Sequence, residues 1–241
     1  MELKESVCVV TGGARGLGVA LARELARRGT QLIISDIDSV DLKDIGVELG
    51  MSVMHCNVSD RQQVESLGRA AMDVYGRIDI WLNNAGIWMP YTPAEDIDFG
   101  RAHELIEVNY FGTAYGTLEA VKHMRGRNAG FVVNILSVRA LKGKALGASY
   151  SASKFAAEGF TQSVREELKD TGVKVIGVYP YRMKTALFGE NRHTDYDDSM
   201  EPADVARVIV NNLASDEPVE HQEIWNTANK KEGAAHTLQR G

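Results

Sequence analysis

The pentapeptide YSASK at 150–154 contains two residue types that together can move a proton. Tyr150 and Lys154 are four positions apart, so their side chains share one face if the segment is helical. An ammonium beside a phenol stabilises the phenolate and lowers the phenol's pKa from its reference value of about 10. Such a phenol can exchange a proton with an alcohol or a ketone at neutral pH. The same spacing also arises by chance, so the pair alone does not establish an active site.

A glycine-rich turn, TGGARGLG at 11–18, follows a strand-like run and precedes a helix-like segment. That context is typical of a phosphate-binding turn, in which the helix N-terminus faces the anion. Gly12 would form the tight turn, Gly16 would let a pyrophosphate approach the backbone, and Gly18 would allow close helix–strand packing. The alternative is that these glycines serve only the turn.

Asp36 stands at the end of the second strand-like run, where a carboxylate would hydrogen-bond the adenosine ribose hydroxyls. Its charge would repel a 2′-phosphate, which predicts NAD as the cofactor and makes NADP less favoured. Arg15 favours NADP instead, because its guanidinium could pair with a 2′-phosphate. We give Asp36 more weight, since it would touch the ribose itself. An acid that only caps the next helix is the alternative.

The pattern of apolar residues predicts an α/β fold. The helix-like segments are 17–28, 61–75, 98–125 and 151–170. The strand-like runs between and around them are 7–10, 31–35, 51–56, 78–83, 130–135, 173–178 and 222–225. Runs that are apolar throughout, without alternation, are typical of strands covered on both faces. We therefore predict one doubly wound Rossmann-type domain over 1–241, with a seven-stranded, mostly parallel sheet and helices on both faces.

Composition narrows the classes of partner. The 241 residues are 44% apolar and 25% charged, which is ordinary for a globular protein. The net charge of −6 and the lack of a basic stripe argue against nucleic acid. No apolar run approaches a membrane span of roughly 18 residues. The first ten residues lack the features of a signal peptide, so we expect a cytoplasmic protein with neither nucleic acid nor membrane as partner.

Two further features receive no chemical role. Cys8 and Cys56 lie in apolar strand-like contexts, where a thiol serves as a small core residue. The polar, acidic stretch 189–200 offers possible metal ligands, but a solvated loop is the better interpretation, so we predict no metal site. The possible ligands in that stretch are His193, Asp195, Asp197 and Asp198.

Five motifs, in their order and spacing, resemble the short-chain dehydrogenase/reductase family over roughly residues 6 to 185. They are TGGARGLG at 11–18, NNAG at 83–86, VNYFG at 108–112, VVNILS at 132–137 and YSASK at 150–154. The resemblance implies that two helical segments, 98–125 and 151–170, pair across a two-fold axis, so we expect a homodimer or homotetramer. The chain lacks the family's frequent Val-Asp-Gly-Gly ending, which weakens the inference of a tetramer.

The resemblance also implies a catalytic tetrad. Ser137 would hydrogen-bond the substrate oxygen, and Tyr150 would act as the acid or base. Lys154 would tune Tyr150 and bind the nicotinamide ribose. Asn109 would shape a local helix irregularity and hold a water that connects Lys154 to solvent. For Ser137 alone, a strand-end cap is the alternative.

The same resemblance implies a set of cofactor contacts. They are Gly12, Arg15, Gly16, Leu17, Gly18, Asp36, Asn57, Val58, Asn84, Ala85, Gly86, Tyr150, Lys154, Pro180, Met183 and Thr185. Asn83 belongs to the same NNAG motif. Asn57 stands where the family usually has Asp, and Tyr181 stands where it usually has Gly, which leaves the local backbone path after Pro180 open.

A mostly apolar wall would choose the substrate, although its apolar members could equally belong to the core. Its members are Trp88, Met89, Ser137, Arg139, Leu146, Tyr150, Tyr181, Leu187 and Phe188. Arg139 could bind an anionic substrate group, or it could turn to solvent or pair with a surface acid.

The sequence predicts an NAD-dependent oxidoreductase that interconverts a secondary alcohol and a ketone on a small or medium-sized organic molecule. An NADPH-dependent carbonyl reductase is one alternative. A nucleotide-sensing regulatory protein without turnover is another, and the intact tetrad disfavours it.

Overall fold

The computed structural model describes residues 2–188 and 196–226, in which strands and helices alternate along the chain. The strands are β1 (Val7–Thr11), β2 (Gln31–Asp36), β3 (Ser52–His55), β4 (Ile80–Asn83), β5 (Gly130–Ile135), β6 (Val173–Pro180) and β7 (His221–Ile224). The α-helices are α1 (Gly16–Arg27), α2 (Ser39–Leu49), α3 (Arg61–Tyr75), α4 (Phe99–Ile106), α5 (Gly112–Met124), α6 (Ala148–Leu168) and α7 (Pro202–Ala214).

The seven strands form one sheet in the order β3-β2-β1-β4-β5-β6-β7. Every neighbouring pair is parallel, with Val9 of β1 opposite Ile33 of β2 on one side and Trp81 of β4 on the other. The predicted α/β fold with a seven-stranded sheet is confirmed. The order of the strands reverses between β1 and β4, and the crevice beyond the carboxyl ends of strands at such a point is where ligands bind.

Both faces of the sheet are covered, which explains why the strands are apolar throughout. In β1, Cys8 and Val10 belong to the core beneath α1 and α7, whereas Val9 belongs to the core beneath α3 and α5. The first core includes Leu21 of α1, and the second includes Leu67 of α3, each fully buried. Adjacent strand positions face opposite sides of a sheet, so a strand covered twice needs apolar residues at every position.

The predicted helix over 98–125 differs from the structure in its middle. A π-helical turn at Glu107–Phe111 separates α4 from α5 without breaking the helical path. A π-turn widens the helix locally and re-aims its side chains, and such turns occur frequently at functional sites. The predicted helix at 151 begins three residues earlier, at Ala148.

No helix among the described residues is long and apolar enough to cross a bilayer. Within residues 2–188 and 196–226 there is also no group of three or more His, Cys, Asp or Glu side chains that could hold a metal ion. The acidic loop predicted at 189–200 lies partly outside the described residues, including His193 and Asp195.

Candidate active site

The crevice at the carboxyl ends of the strands is a cavity of about 450 Å³. It extends from Asp36 at the end of β2, past the glycine turn, to Ser137 after β5 and to Tyr150 and Lys154 on α6. All the predicted cofactor residues line it except Gly18. The topology therefore brings motifs that are far apart in the sequence into one continuous cavity.

The glycine turn lines this cavity, and its backbone leaves no room for side chains. Gly12 and Gly16 have φ angles of 63° and 57°, in the left-handed region that favours glycine. A Cβ on Gly12 would lie 2.6 Å from the Cα of Ala85, and one on Gly16 would lie 3.3 Å from Cγ2 of Thr185. Gly18 packs beneath the turn, where a Cβ would lie 2.0 Å from the Gly12 carbonyl oxygen.

Asn84 ties the end of β4 to the glycine turn. Its Nδ2 donates to the carbonyl oxygens of Thr11 and Gly12, at 3.0 and 2.9 Å. The hydroxyl oxygen of Thr11 accepts in turn from the backbone N–H groups of Asn84 and Ala85. These bonds bridge β1 and β4 at the point where the strand order reverses. Asn83, one residue earlier, instead faces the buried interior and bonds Asn134.

The Asp36 carboxylate braces the turn from the other side. One oxygen accepts from the backbone N–H of Ala14 and the other from that of Asp38, both at 3.0 Å. The side chain is 8% exposed and faces the cavity. Arg15 also lines the cavity, but its guanidinium pairs with Asp38 at 3.2 Å. The negative charge at this end of the cavity is therefore fixed in place.

Ser137, Tyr150 and Lys154 meet at the opposite end. Ser137 follows β5, and its hydroxyl accepts from the Arg139 backbone N–H at 3.1 Å. The same hydroxyl is close enough to the Tyr150 phenol to oppose the upward shift of its pKa. Lys154 lies one helical turn beyond Tyr150, with its Nζ 6.0 Å from the centre of the Tyr150 ring. That Nζ donates to the Ile135 carbonyl oxygen at 3.2 Å. The predicted pair does share one helix face.

Asn109 lies in the π-helical turn, is fully buried and does not line the cavity. Its amide bonds both the N–H and the carbonyl oxygen of Ile87 at 2.9 Å, and it donates to Ser153 at 3.0 Å. Ser153 then donates to the carbonyl oxygen of Tyr150. In this structure Asn109 is a positioning residue that connects the segment after β4 to α6.

Burial dominates the ionisation of the pair. It raises the pKa of Tyr150 to about 12, an effect that Tyr91 adds to and that Ser137 and Arg139 oppose. Burial also lowers the pKa of Lys154 to about 8. This differs from our expectation that Lys154 lowers the pKa of Tyr150. The ammonium faces the ring and the Ile135 carbonyl, and removal of the phenol from water is the larger effect.

The predicted substrate wall is only partly assembled at this site. Trp88, Arg139, Tyr181 and Leu187 line the cavity, whereas the buried Met89 does not. The structure does not bring Leu146 into the cavity either: this side chain is 55% exposed, in a turn where its own φ is 65°. The side chain of Phe188 lies outside the described residues.

Tyr181 needs no glycine-like backbone. Among the described residues, positive φ at non-glycine positions occurs only at Glu5, Asn128 and Leu146. The Tyr181 N–H donates to the Ile224 carbonyl oxygen at 2.9 Å, and its ring stacks on Trp225 with centroids 5.0 Å apart. Contact with Trp225, just after β7, therefore places this aromatic ring at the cavity wall.

Several lining residues were missed by sequence reasoning. They are Ile37, Cys56, Ile87, Tyr91, Arg101, Val108, Ile135, Leu136, Val138, Arg182 and Ala186. Most are within two residues of a predicted position, so a wider window around each motif would have found them. Tyr91 and Arg101 come from the segment after β4, which no motif marks.

Burial raises the pKa of the Cys56 thiol to about 11, so it stays protonated at neutral pH.

The family model for short chain dehydrogenases matches residues 6–196. The chain belongs to this family. The maize sex determination protein tasselseed-2 is 33% identical over 205 residues, which are 82% of this chain and 61% of that protein. An uncharacterized oxidoreductase of Bacillus subtilis, YxnA, is 30% identical over 81% of this chain and 57% of its own length. The chain thus spans about three fifths of these two relatives.

Other matches cover nearly the whole of both chains. An uncharacterized oxidoreductase of Staphylococcus aureus is 29% identical over 92% of this chain and 96% of its own. The structure of a Thermococcus sibiricus alcohol dehydrogenase complexed with 5-hydroxy-NADP superposes with a TM-score of 0.85 at 24% identity, over 93% of this chain and 97% of that chain. A Burkholderia phymatum short chain dehydrogenase/reductase complexed with NAD gives 0.86 at 23%, over 100% and 97%. These structures support the fold.

The buried ammonium of Lys154 yields a prediction about stability. Its folded pKa of about 8 lies below its ordinary value of 10.5, so the unfolded chain binds more protons between these values. Wild-type stability should therefore rise with pH across that interval. Lys154→Met should stabilise the protein at pH 7 by about 1–3 kcal/mol, a gain that shrinks toward pH 10.

Urea unfolding at pH 7 and pH 9.5 measures both effects. Lys43→Met, at an exposed position on α2, is the matched control and should change stability little at either pH. A Lys154→Met protein that is less stable than wild type at pH 7, with an unaltered pH slope, would contradict the burial penalty.

Proposed function

We propose that this domain is an NAD-dependent oxidoreductase that interconverts a secondary alcohol and a ketone on a small or medium-sized molecule. The observation that carries the proposal is the placement of Ser137, Tyr150 and Lys154 in the same cavity as the glycine turn and Asp36. One end can hold a nucleotide, and the other presents a phenol, a hydroxyl and an ammonium. Family membership supports the class of chemistry.

The residues of the cavity fit a nicotinamide dinucleotide. Helix α1 begins at Gly16, and a side chain at this position would fill the space between the helix N-terminus and Thr185. Free backbone N–H groups at a helix N-terminus suit a pyrophosphate. The Asp36 carboxylate, which keeps spare lone pairs, suits the hydroxyls of a ribose. At the far end, Lys154 would hold the nicotinamide ribose, and the ring of Tyr150 would pack beside it.

When bound, the oxidised nicotinamide supplies a hydride acceptor and a positive charge. Tyr150 takes the hydroxyl proton of the alcohol onto its phenolate oxygen, or gives it back in the direction of reduction. Ser137 donates a hydrogen bond to the substrate oxygen as negative charge develops there. Lys154 holds its charge near the Tyr150 ring, and Asn109 fixes the start of α6 through Ser153.

Removal of the Tyr150 hydroxyl tests the acid–base role. Tyr150→Phe should lower kcat by about 10²-fold or more while NAD affinity changes less than about threefold, because the ring still packs and only the ionisable oxygen is lost. Tyr75→Phe is the matched control, since this hydroxyl bonds the Leu32 carbonyl oxygen away from the cavity. Comparable turnover in Tyr150→Phe and wild type would remove Tyr150 from the reaction.

The charges at the nucleotide end support NAD over NADP. A 2′-phosphate near Asp36 would meet a buried carboxylate that backbone bonds hold in place. Like charges about 4 Å apart cost from roughly 1 kcal/mol in bulk water to roughly 4 kcal/mol near a protein surface. Arg15, which could offset that repulsion, is paired with Asp38. The balance of these contacts favours a free 2′-hydroxyl.

Asp36→Ala should therefore shift the preference toward NADP, seen as a fall of about tenfold or more in the NAD/NADP ratio of kcat/KM. The control Asp41→Ala removes the same charge from an exposed site on α2 and should leave the ratio unchanged. A wild-type protein that prefers NADP would show that Arg15, rather than Asp36, dominates the site.

Helices α4, α5 and α6 carry exposed apolar side chains that support a homodimer. Phe99 of α4, Leu118 of α5 and Phe155 of α6 are 71%, 52% and 44% exposed. Large apolar side chains on neighbouring helices are typical of an interface with another copy. Sedimentation should show at least a dimer at micromolar concentration. Phe155→Asp should dissociate the dimer, whereas the control Val47→Asp on α2 should not. A wild-type protein that sediments as a monomer would contradict the proposed dimer.

A further inference from the structure

Away from Asp36, the charged side chains that line the cavity are cations. Among the described residues that line the cavity, the charged ones are Arg15, Asp36, Arg101, Arg139, Lys154 and Arg182. The one acid in this set, Asp36, lies at the nucleotide end beside Arg15. The cations near Tyr150 thus face no lining acid. A cavity lined by one sign of charge attracts a ligand of the opposite sign.

Arg139 differs from the other arginines at this end. Arg101 is held by an ion pair with Glu104, and Arg182 lies over the Tyr181 ring with its guanidinium carbon 5.4 Å from the centroid. The guanidinium of Arg139 makes no hydrogen bond or ion pair with any residue in 2–188 or 196–226. It is nevertheless half-buried. A guanidinium withdrawn from water without a partner is costly, and a bound anion would offset that cost.

The position of Arg139 is fixed relative to the reacting groups. It belongs to the short turn Val138–Ala140, which the Ser137 hydroxyl caps by accepting from the Arg139 N–H. Its charge acts on the Tyr150 phenol. A substrate whose oxygen contacts Ser137 and Tyr150 would thus lie within reach of this guanidinium. Among residues 2–188 and 196–226, Arg139 forms no pair with a surface acid, which was the alternative for this side chain.

We propose that the substrate is a small hydroxy or keto carboxylate, and that Arg139 binds its carboxylate in a two-pronged pair. This rests on the proposed oxidoreductase function. A planar guanidinium matches a carboxylate in geometry. A single guanidinium also matches a single negative charge, which favours a carboxylate over a phosphate dianion. The aromatic walls formed by Trp88, Tyr91 and Tyr181 suit an apolar remainder of the molecule.

The first experiment compares short hydroxy acids with their neutral amides as substrates, using NAD and wild-type protein. Wild type should favour the acid in kcat/KM. Arg139→Gln should lower the acid/amide ratio by about 10- to 100-fold. The ratio is the proper readout, because loss of Arg139 also changes the field at Tyr150 and affects both substrates alike. Arg139→Lys keeps the charge but loses the paired N–H donors of the guanidinium, and it should give an acid/amide ratio between those of wild type and Arg139→Gln.

Two control variants separate a specific contact from general charge. Arg101→Gln removes a cation that lines the same cavity but already has an acidic partner, and it should change the acid/amide ratio less than Arg139→Gln does. Arg207→Gln removes a surface cation paired with Asp204 and should leave the ratio unchanged. Equal ratios in wild type and Arg139→Gln, or equal losses in Arg139→Gln and Arg101→Gln, would overturn the proposal.

Calorimetric titration provides a test that does not need turnover. Butyrate and benzoate should bind wild type and should bind Arg139→Gln about 10- to 100-fold more weakly, while NAD binds both alike. Carboxylate binding that depends on Arg139 in a protein with no dehydrogenase activity would support Arg139 as a carboxylate-binding residue but overturn the proposed function, and with it the carboxylate as a substrate. Turnover of the amides without any preference for the acids would overturn the carboxylate proposal and support the proposed oxidoreductase function. If inorganic phosphate binds more tightly than butyrate and this binding depends on Arg139, the carboxylate proposal is overturned in favour of a phosphate group.

Discussion

The site depends on one constraint, the burial of the Lys154 ammonium between α6 and the end of β5. Lys154 is only 5% exposed, and its Nζ donates to the Ile135 carbonyl oxygen at 3.2 Å. Burial disfavours its charge and lowers its pKa to about 8. The bond from Lys154 to Ile135 connects α6 to the end of β5. Tyr150 lies one helical turn before Lys154 on α6, and Ser137 follows β5, so this connection brings the two hydroxyls to the same end of the cavity.

A buried polar network makes this arrangement rigid. Asn83 of β4 donates to Asn134 of β5 and to Thr117 of α5, at 2.8 and 3.1 Å. Asn134 in turn donates to Thr161 of α6 at 2.9 Å. Two strands and two helices are thereby joined inside the core, where unsatisfied amides would be costly. Ser137 stands just after β5, so the network fixes its position as well as that of α6.

Much of this could be predicted from the sequence, because continuous apolar runs specify strands covered on both faces and the glycine turn requires a backbone without side chains. The rest depends on tertiary contacts. Nothing local marks Leu146 as exposed, since apolar residues do not reveal which turn they occupy. The family resemblance implied the helix irregularity at Asn109, but the bonds of this side chain to Ile87 on another segment are tertiary contacts that the sequence does not give. The upward shift of the Tyr150 pKa required knowledge of burial, which spacing on a helix does not give.

Ionisation of Tyr150 with and without NAD tests the central claim most directly, namely that this buried phenol becomes the acid or base of the reaction once the cofactor is bound. Protein labelled with ¹³C at the tyrosine ζ carbon, with Tyr150→Phe to assign the resonance, allows the titration to be followed by NMR. With a pKa of about 12, Tyr150 should not titrate below pH 10 in the free protein. Saturating NAD should lower this pKa by about two units or more, so that a substantial fraction of phenolate appears by pH 10. The same titration curve with and without NAD would contradict the account.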